Sequence, residues 1–237
     1  MMRLTIALAG LLLIAMLLAG CVTGQEKDVV ADNACHQVPP PTVSIDIAFV
    51  GPIDDASRSL QELSHEETDG RGPAMERSAV TFGITHVKLG GQFGGDAKAA
   101  TMPDGEVCAW ANHLTVHLTD EVRVYLAAEL RPGSCPYRAV REHEEKHVNL
   151  DRQLQPELRR ALQEAIDKVA TYSVLGRDEA AAAARLRTAF RQAVGGAIGS
   201  YAAMRDQRQI AIDTPEEYRR VQGVCGRPAF AALFPKT

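Results

Sequence analysis

The spacing of apolar residues changes period near residue 134. Upstream, apolar residues recur every second position; downstream, they recur every third or fourth. Over residues 42–50, Val43, Ile45, Ile47 and Phe49 fall on one side, and Ser44, Asp46 and Ala48 on the other. Residues 84–89 alternate in the same way, and 107–111, 114–118 and 122–127 are three further strand candidates. Short links between these runs predict an antiparallel meander. Gly90-Gly91 and Gly94-Gly95 predict turns or bulges within it, and Pro132-Gly133 ends it. Residues 54–63 read as a short helix and 65–73 as an exposed loop. After residue 134 a long helix is expected over 137–171, with Leu150, Leu154, Leu158, Leu162, Ile166 and Val169 at helical spacing. Ser134 or Cys135 can cap it and Pro136 suits its first position, while Pro156 is expected to kink or split it. Asp178 can cap a second helix to about residue 210, with a stripe of Leu186, Phe190, Val194, Ile198 and Tyr201. Gly195, Gly196 and Gly199 interrupt that stripe and predict a close crossing with another element. Residues 213–218 open a third, short helix. The fold class expected is α+β: a small antiparallel sheet, then two long helices.

The first twenty residues do not belong to that fold. Arg3 precedes an apolar run over 4–18, too short for a membrane span, which reads as an export signal. Leu18-Ala19-Gly20-Cys21 resembles the lipobox of bacterial lipoproteins. That resemblance implies that Cys21 is lipidated, that the mature chain starts there, and that residues 21–41, ending in Pro39-Pro40-Pro41, tether a domain over 42–237. Val22 and Thr23 follow, with no aspartate to signal inner-membrane retention, so the outer membrane, facing the periplasm, is the expected address. The 237-residue chain is 46% apolar and can bury a core. Its net charge is -4 (26 basic against 30 acidic residues), and removing Arg3 with the signal makes it -5. With no basic block, sequence-independent nucleic-acid binding is excluded. Besides Cys21, the cysteines are Cys35, Cys108, Cys135 and Cys225, enough for two disulfides in an exported protein. Three pairings are possible and the sequence does not choose; the pairing carried forward is Cys135–Cys225 with Cys35–Cys108.

On the first long helix lies His143-Glu144-Glu145-Lys146-His147, an H-E-x-x-H pattern. Positions i and i+4 of a helix face one way, so two imidazoles can face one zinc ion, with Glu144 placed as general base. The central pair, Glu145 and Lys146, is charged, which also suits a solvated helix face with pairs such as Glu142 to Lys146. A catalytic zinc needs a third protein ligand. Asp151 lies about 12 Å of helix rise beyond His143, too far to share one ion, but it can accept a hydrogen bond from His147. Glu164 comes too soon, on the same helix. The order of preference is Asp213, then Glu217, then Glu216, with Glu179 another acid on the second helix. Residues 214–217 also read as a plain helix start, with Thr214 as N-cap, Pro215 at N1 and Glu217 at N3. His113 and His117 read as sheet-surface histidines; His36, His65 and His86 stand alone.

Cys135, the His143-Glu144-x-x-His147 pattern, two long helices, the segment from Asp213 to Tyr218 and the closing Cys225 together resemble the bacterial predicted secreted zinc-dependent proteases, an uncharacterised domain family related to the zincins. The likeness runs from about Val43 to Cys225. It implies a zincin-like fold, zinc on His143 and His147, and Glu144 as base. Relatives carry an Asp followed by a His where this chain has Tyr218, which can stabilise an oxyanion if it faces the zinc. The expected function is a lipid-anchored envelope zinc metallopeptidase acting on a peptide or protein substrate. The alternatives are a non-catalytic lipoprotein binding a partner or cell-wall material, and a zinc amidase acting on peptidoglycan.

Overall fold

The three runs expected between residues 107 and 127 are one strand. In the computed structural model, which describes Cys35, residues 38–68 and residues 80–234, β3 spans Val107–Leu126 without a break. Val116, Leu118, Val122, Val124 and Leu126 alternate inward along it and are buried. The polar residues that seemed to divide it sit where a strand tolerates them. Asn112 lies at a register shift opposite Asp96 and Ala97, and its amide donates to Asp96 at 2.7 Å. Asp120 is buried but accepts from Gln155.

β3 is the centre of a mixed sheet rather than an antiparallel meander. β1 (Thr42–Asp55) pairs with it in parallel, and β2 (Gly83–Thr101) pairs antiparallel on the other side. The order β1-β3-β2 separates sequence neighbours, and this non-local placement is what short-link reasoning cannot see. β1 runs on to Asp55, so the first helix, α1, starts later than expected, at Leu60–Thr68. Gly90, Gly91, Gly94 and Gly95 are all inside β2 rather than in turns. Gly91 has φ +152, and a Cβ there would lie 2.1 Å from the His117 carbonyl oxygen.

α2 (Cys135–Ala170) starts at Ser134, whose side chain accepts from the Tyr137 N–H, with proline at the first turn. It runs through Pro156 unbroken. Pro156 and Arg152, whose carbonyl loses its donor, are both on the exposed face, where an unpaired carbonyl costs little because solvent can reach it. The buried stripe of Leu154, Leu158, Leu162 and Ile166 holds the other face against the sheet. A short β4 (Ser173–Gly176), not foreseen, pairs with the start of β3. α3 (Glu179–Ile210) is capped by Asp178, which accepts from Ala181 N–H at 2.8 Å. It returns along α2, burying Leu186, Phe190, Val194 and Tyr201. The expected close crossing at Gly195, Gly196 and Gly199 is absent: a Cβ at any of them meets nothing within 4 Å. These glycines are exposed, and the structure offers no packing reason for them.

α4 (Pro215–Cys225) begins at the Thr214 cap, and α5 (Arg227–Ala231) follows. Cys135 pairs with Cys225 and Cys35 with Cys108, as carried forward from the sequence. The first pair ties the first residue of α2 to the last of α4. The second fastens the chain ahead of β1 to β3, and the Cys35 N–H also reaches Ser173 Oγ at 3.2 Å. The signal segment, Cys21, most of the tether, His36 and residues 69–73 lie outside the described residues, and the first four residues of the loop expected over 65–73 belong instead to α1. No described helix is long and apolar enough to cross a membrane.

Candidate metal centre

The stripe that α2 buries changes character halfway. Leu154, Leu158 and Leu162 give way, one turn at a time, to Asp151, His147, His143 and Glu144, all less than 8% exposed. A buried polar row needs partners, and the ends of α3 and α4 supply them. Just past α3, Asp213 is placed by turn bonds from its N–H to Ile210 O (3.1 Å) and from Thr214 N–H to Ile212 O (2.9 Å). Its Oδ1 lies 3.1 Å from His143 Nε2 and 3.2 Å from His147 Nε2, and the two Nε2 atoms are 3.4 Å apart. Three ligand-type atoms thus form a nearly equilateral triangle on the wall of a cleft.

The far nitrogen of each imidazole shows what that triangle can hold. His143 Nδ1 meets Glu217 Oε1 at 3.2 Å, and His147 Nδ1 meets Gln209 Oε1 at 2.6 Å. Both partners accept, so both Nδ1 atoms carry hydrogens. The Gln209 amide cannot be turned round, because its Nε2 donates to Asp151 Oδ1 (2.7 Å) and to His147 O (3.3 Å). In the neutral imidazoles, both Nε2 lone pairs therefore point at a carboxylate oxygen. Three electron-rich atoms converge, and a cation must sit among them, either protons or a metal ion. Among the described residues, His143, His147 and Asp213 are the group that can hold a metal ion. Without one, protons take its place. Burial lowers His147's affinity for a proton, but Asp213 and the charge of Glu144 outweigh this and lift its pKa to about 9. Asp213, although buried, is held well below the usual carboxylate range by the two imidazoles.

Behind the triangle a buried ionic row runs from α3 to α2. Arg205 Nε and Nη2 grip Asp151 at 2.7 and 3.0 Å, Asp151 takes Gln209, and Gln209 orients His147. Asp151 was expected to bind His147 directly; Gln209 stands between them. Glu217, the runner-up ligand, instead orients His143 and is held by Arg220 and by Lys146 at 2.7 Å. The charged central pair of the motif is thereby accounted for. Lys146 reaches Glu217, and Glu145 bonds Arg141 (2.8 Å) and Arg152 (2.9 Å) on the outer face. The expected Glu142–Lys146 pair does not form, and Glu142 meets Arg220 at 3.3 Å.

Glu144 sits beside the triangle, 3% exposed, with Thr85 Oγ1 donating to its Oε2 at 2.8 Å. Burial raises its pKa. Gly83 of β2 makes room for it: a Cβ there would lie 2.7 Å from Glu144 Oε1 and 2.8 Å from Val140 Cγ1. Tyr218 lines the same cleft, its ring 5.7 Å from that of His143. Glu216 is exposed and paired with Arg219, and Glu179 lines a separate cavity with Phe93 and Phe190. His113 and His117 lie on β3, with His117 Nδ1 3.8 Å from Asp46 Oδ2. His86 lines the cleft and His65 is exposed on α1.

Gln209, Arg205, Thr85 and Gly83 were not foreseen. One signal pointed to the first two. The α3 stripe of Leu186, Phe190, Val194, Ile198 and Tyr201 continues at the same spacing as Arg205 and Gln209. It turns polar at the end that faces the polar end of the α2 stripe. No protein-family model, curated protein or solved structure matches this chain.

Proposed function

We propose that this chain is a zinc-dependent peptide hydrolase of the bacterial cell envelope, held at the outer membrane by a lipid on Cys21. The observation that carries the metal assignment is the triangle with its fixed tautomers. Zinc takes two imidazoles and a carboxylate at about 2.0–2.2 Å, leaving a fourth tetrahedral position open. The edge of a tetrahedron is about 1.6 times the bond length, roughly 3.3 Å at these lengths, and the three donor atoms are 3.1, 3.2 and 3.4 Å apart. The donor set and its spacing therefore fit zinc before any ion arrives. Bound zinc would supply Lewis-acid polarisation of a carbonyl and a lowered pKa for water.

The remaining roles belong to the chain itself. Glu144, buried and oriented by Thr85, takes the proton from the attacking water and returns it to the leaving amine. Its raised pKa suits both transfers. Gln209 and Glu217 keep both imidazoles in the tautomer that presents Nε2. To Tyr218, on the cleft wall with its ring 5.7 Å from that of His143, we assign donation to a developing oxyanion. A buried carboxylate held by Thr85 beside the triangle is the feature that supports the zincin-like reading over a non-catalytic one.

The test is cleavage of quenched-fluorescent peptides by wild type and Glu144→Gln, both with matched zinc. Wild type should cleave and Glu144→Gln should fall by about 10²–10⁴-fold. Equal rates would remove Glu144 from the chemistry and with it this function.

A further inference from the structure

We infer that the cleft has two chemically distinct ends and selects a polypeptide by a large apolar side chain seated beside Glu144. This rests on the peptide-hydrolase reading and names its substrate class. The cleft has a volume of about 320 Å³. At one end Gly83 lies against Val140 and Glu144. Phe82, Val221 and Phe230 complete that wall, with the Phe82 and Phe230 rings edge to face at 5.1 Å. Val140, Val221 and Phe230 are members of one apolar core cluster, with Phe82 packed against it, so the core itself opens into the cleft here. Val80, 37% exposed, stands at the rim.

The other end is polar. His147 lies seven residues beyond Val140 on α2, about 10 Å along the axis, and there His86, Arg205, Asp206 and Gln209 line the space, with the exposed Ile210 beside them. The triangle lies between the two ends, with Glu144 at the edge of the apolar one. A peptide bond held there would place one flanking side chain on the apolar wall and leave polar main chain at the opposite end. A cleft wall lined by apolar side chains favours a ligand group that meets it with apolar surface. A glycan or muropeptide offers mainly hydroxyl, amide and carboxylate groups to that wall, whereas a leucine or phenylalanine side chain covers it.

The experiment measures binding separately from cleavage. Labelled hexapeptides that differ only by Phe, Leu, Ala or Glu at one position, and a disaccharide muropeptide, are titrated into Glu144→Gln protein by fluorescence anisotropy. Phe and Leu peptides should bind roughly tenfold to a hundredfold more tightly than Ala, the range expected for burying such a side chain. Glu and the muropeptide should be weakest. Val221→Phe, which fills the apolar end, should abolish the preference for Phe. Val80→Asp at the exposed rim, where folding is not at stake, should reduce it. Equal affinity for Phe, Ala and Glu, tighter binding of the muropeptide, or a preference unchanged in Val80→Asp would overturn the inference. Failure of the hydrolase reading shows separately, as no Glu144-dependent cleavage of the same peptides, while the binding order is still read.

Discussion

Replacing Gln209 by methionine keeps the length of the side chain and removes both of its hydrogen-bonding ends. In the native protein its Oε1 holds His147 Nδ1 at 2.6 Å and its Nε2 donates to Asp151 at 2.7 Å. The two losses have separate readouts. Without an acceptor at Nδ1, His147 is free to place its hydrogen on Nε2, the atom that faces Asp213. Losing such a partner of a metal-binding histidine lowers metal affinity about 10–100-fold, or roughly 1.4–2.8 kcal/mol. Asp151, fully buried, keeps both bonds from Arg205 and loses one to Gln209. One hydrogen bond to a charged group contributes about 1.5–3 kcal/mol. For a chain of this size that corresponds to a fall in Tm of roughly 3–12 °C. Zinc affinity is read by competition with a chromophoric chelator, and stability by thermal melting of the metal-free protein followed by circular dichroism. Arg208→Ala, which removes a two-bond ion pair to Glu157 (2.7 and 3.2 Å) away from the triangle, is the control and should leave zinc affinity unchanged. If Gln209→Met loses stability but binds zinc within twofold of wild type, Gln209 is a packing residue and the tautomer argument is wrong.

Three further outcomes follow from the same geometry. Gly83→Ala puts a methyl 2.7 Å from Glu144 Oε1, so peptide cleavage should fall at least tenfold while zinc content measured by mass spectrometry stays at the wild-type level. Removing the Cys135–Cys225 bond with two serines frees the end of α4 from the start of α2 and should cost about 2–5 kcal/mol in urea unfolding. Zinc affinity should fall with it, because Asp213 and Glu217 both lie inside the loop which that bond closes. Asp120 has a raised pKa because it is buried, so the folded protein holds its proton more tightly than the unfolded chain does. Its carboxylate therefore costs stability above the unfolded value near 3.8, and that cost disappears below it. Asp120→Asn should accordingly be more stable than wild type in urea at pH 7, and the difference should vanish as the pH falls below about 4.

Local rules found what was local. The capping pattern around Ser134 and Pro136, the Asp178 and Thr214 caps, and the convergence of His143 and His147 all depend on residues within a few positions of each other. Asp213 was reachable because few acids follow the second long helix. Glu217 was misread for the same reason: spacing cannot tell a carboxylate facing Nε2 from one facing Nδ1 of the same imidazole. The sheet was harder. Whether β1 pairs with β2 or with β3 depends on contacts some seventy residues apart, and the alternation of residues 42–50 is the same for either partner. Pro156 and the α3 glycines failed as signals because each lies on a helix face turned to solvent, where a missing donor or side chain has little consequence.

The proposed zinc site on His143, His147 and Asp213 stands or falls on the metal content of wild type, His143→Ala and Asp213→Ala, each purified without added metal and measured by inductively coupled plasma mass spectrometry. Wild type should carry close to one zinc per chain, and either variant little or none, while both keep the wild-type circular dichroism spectrum. Wild-type protein without zinc, or His143→Ala carrying as much zinc as wild type, would contradict that site.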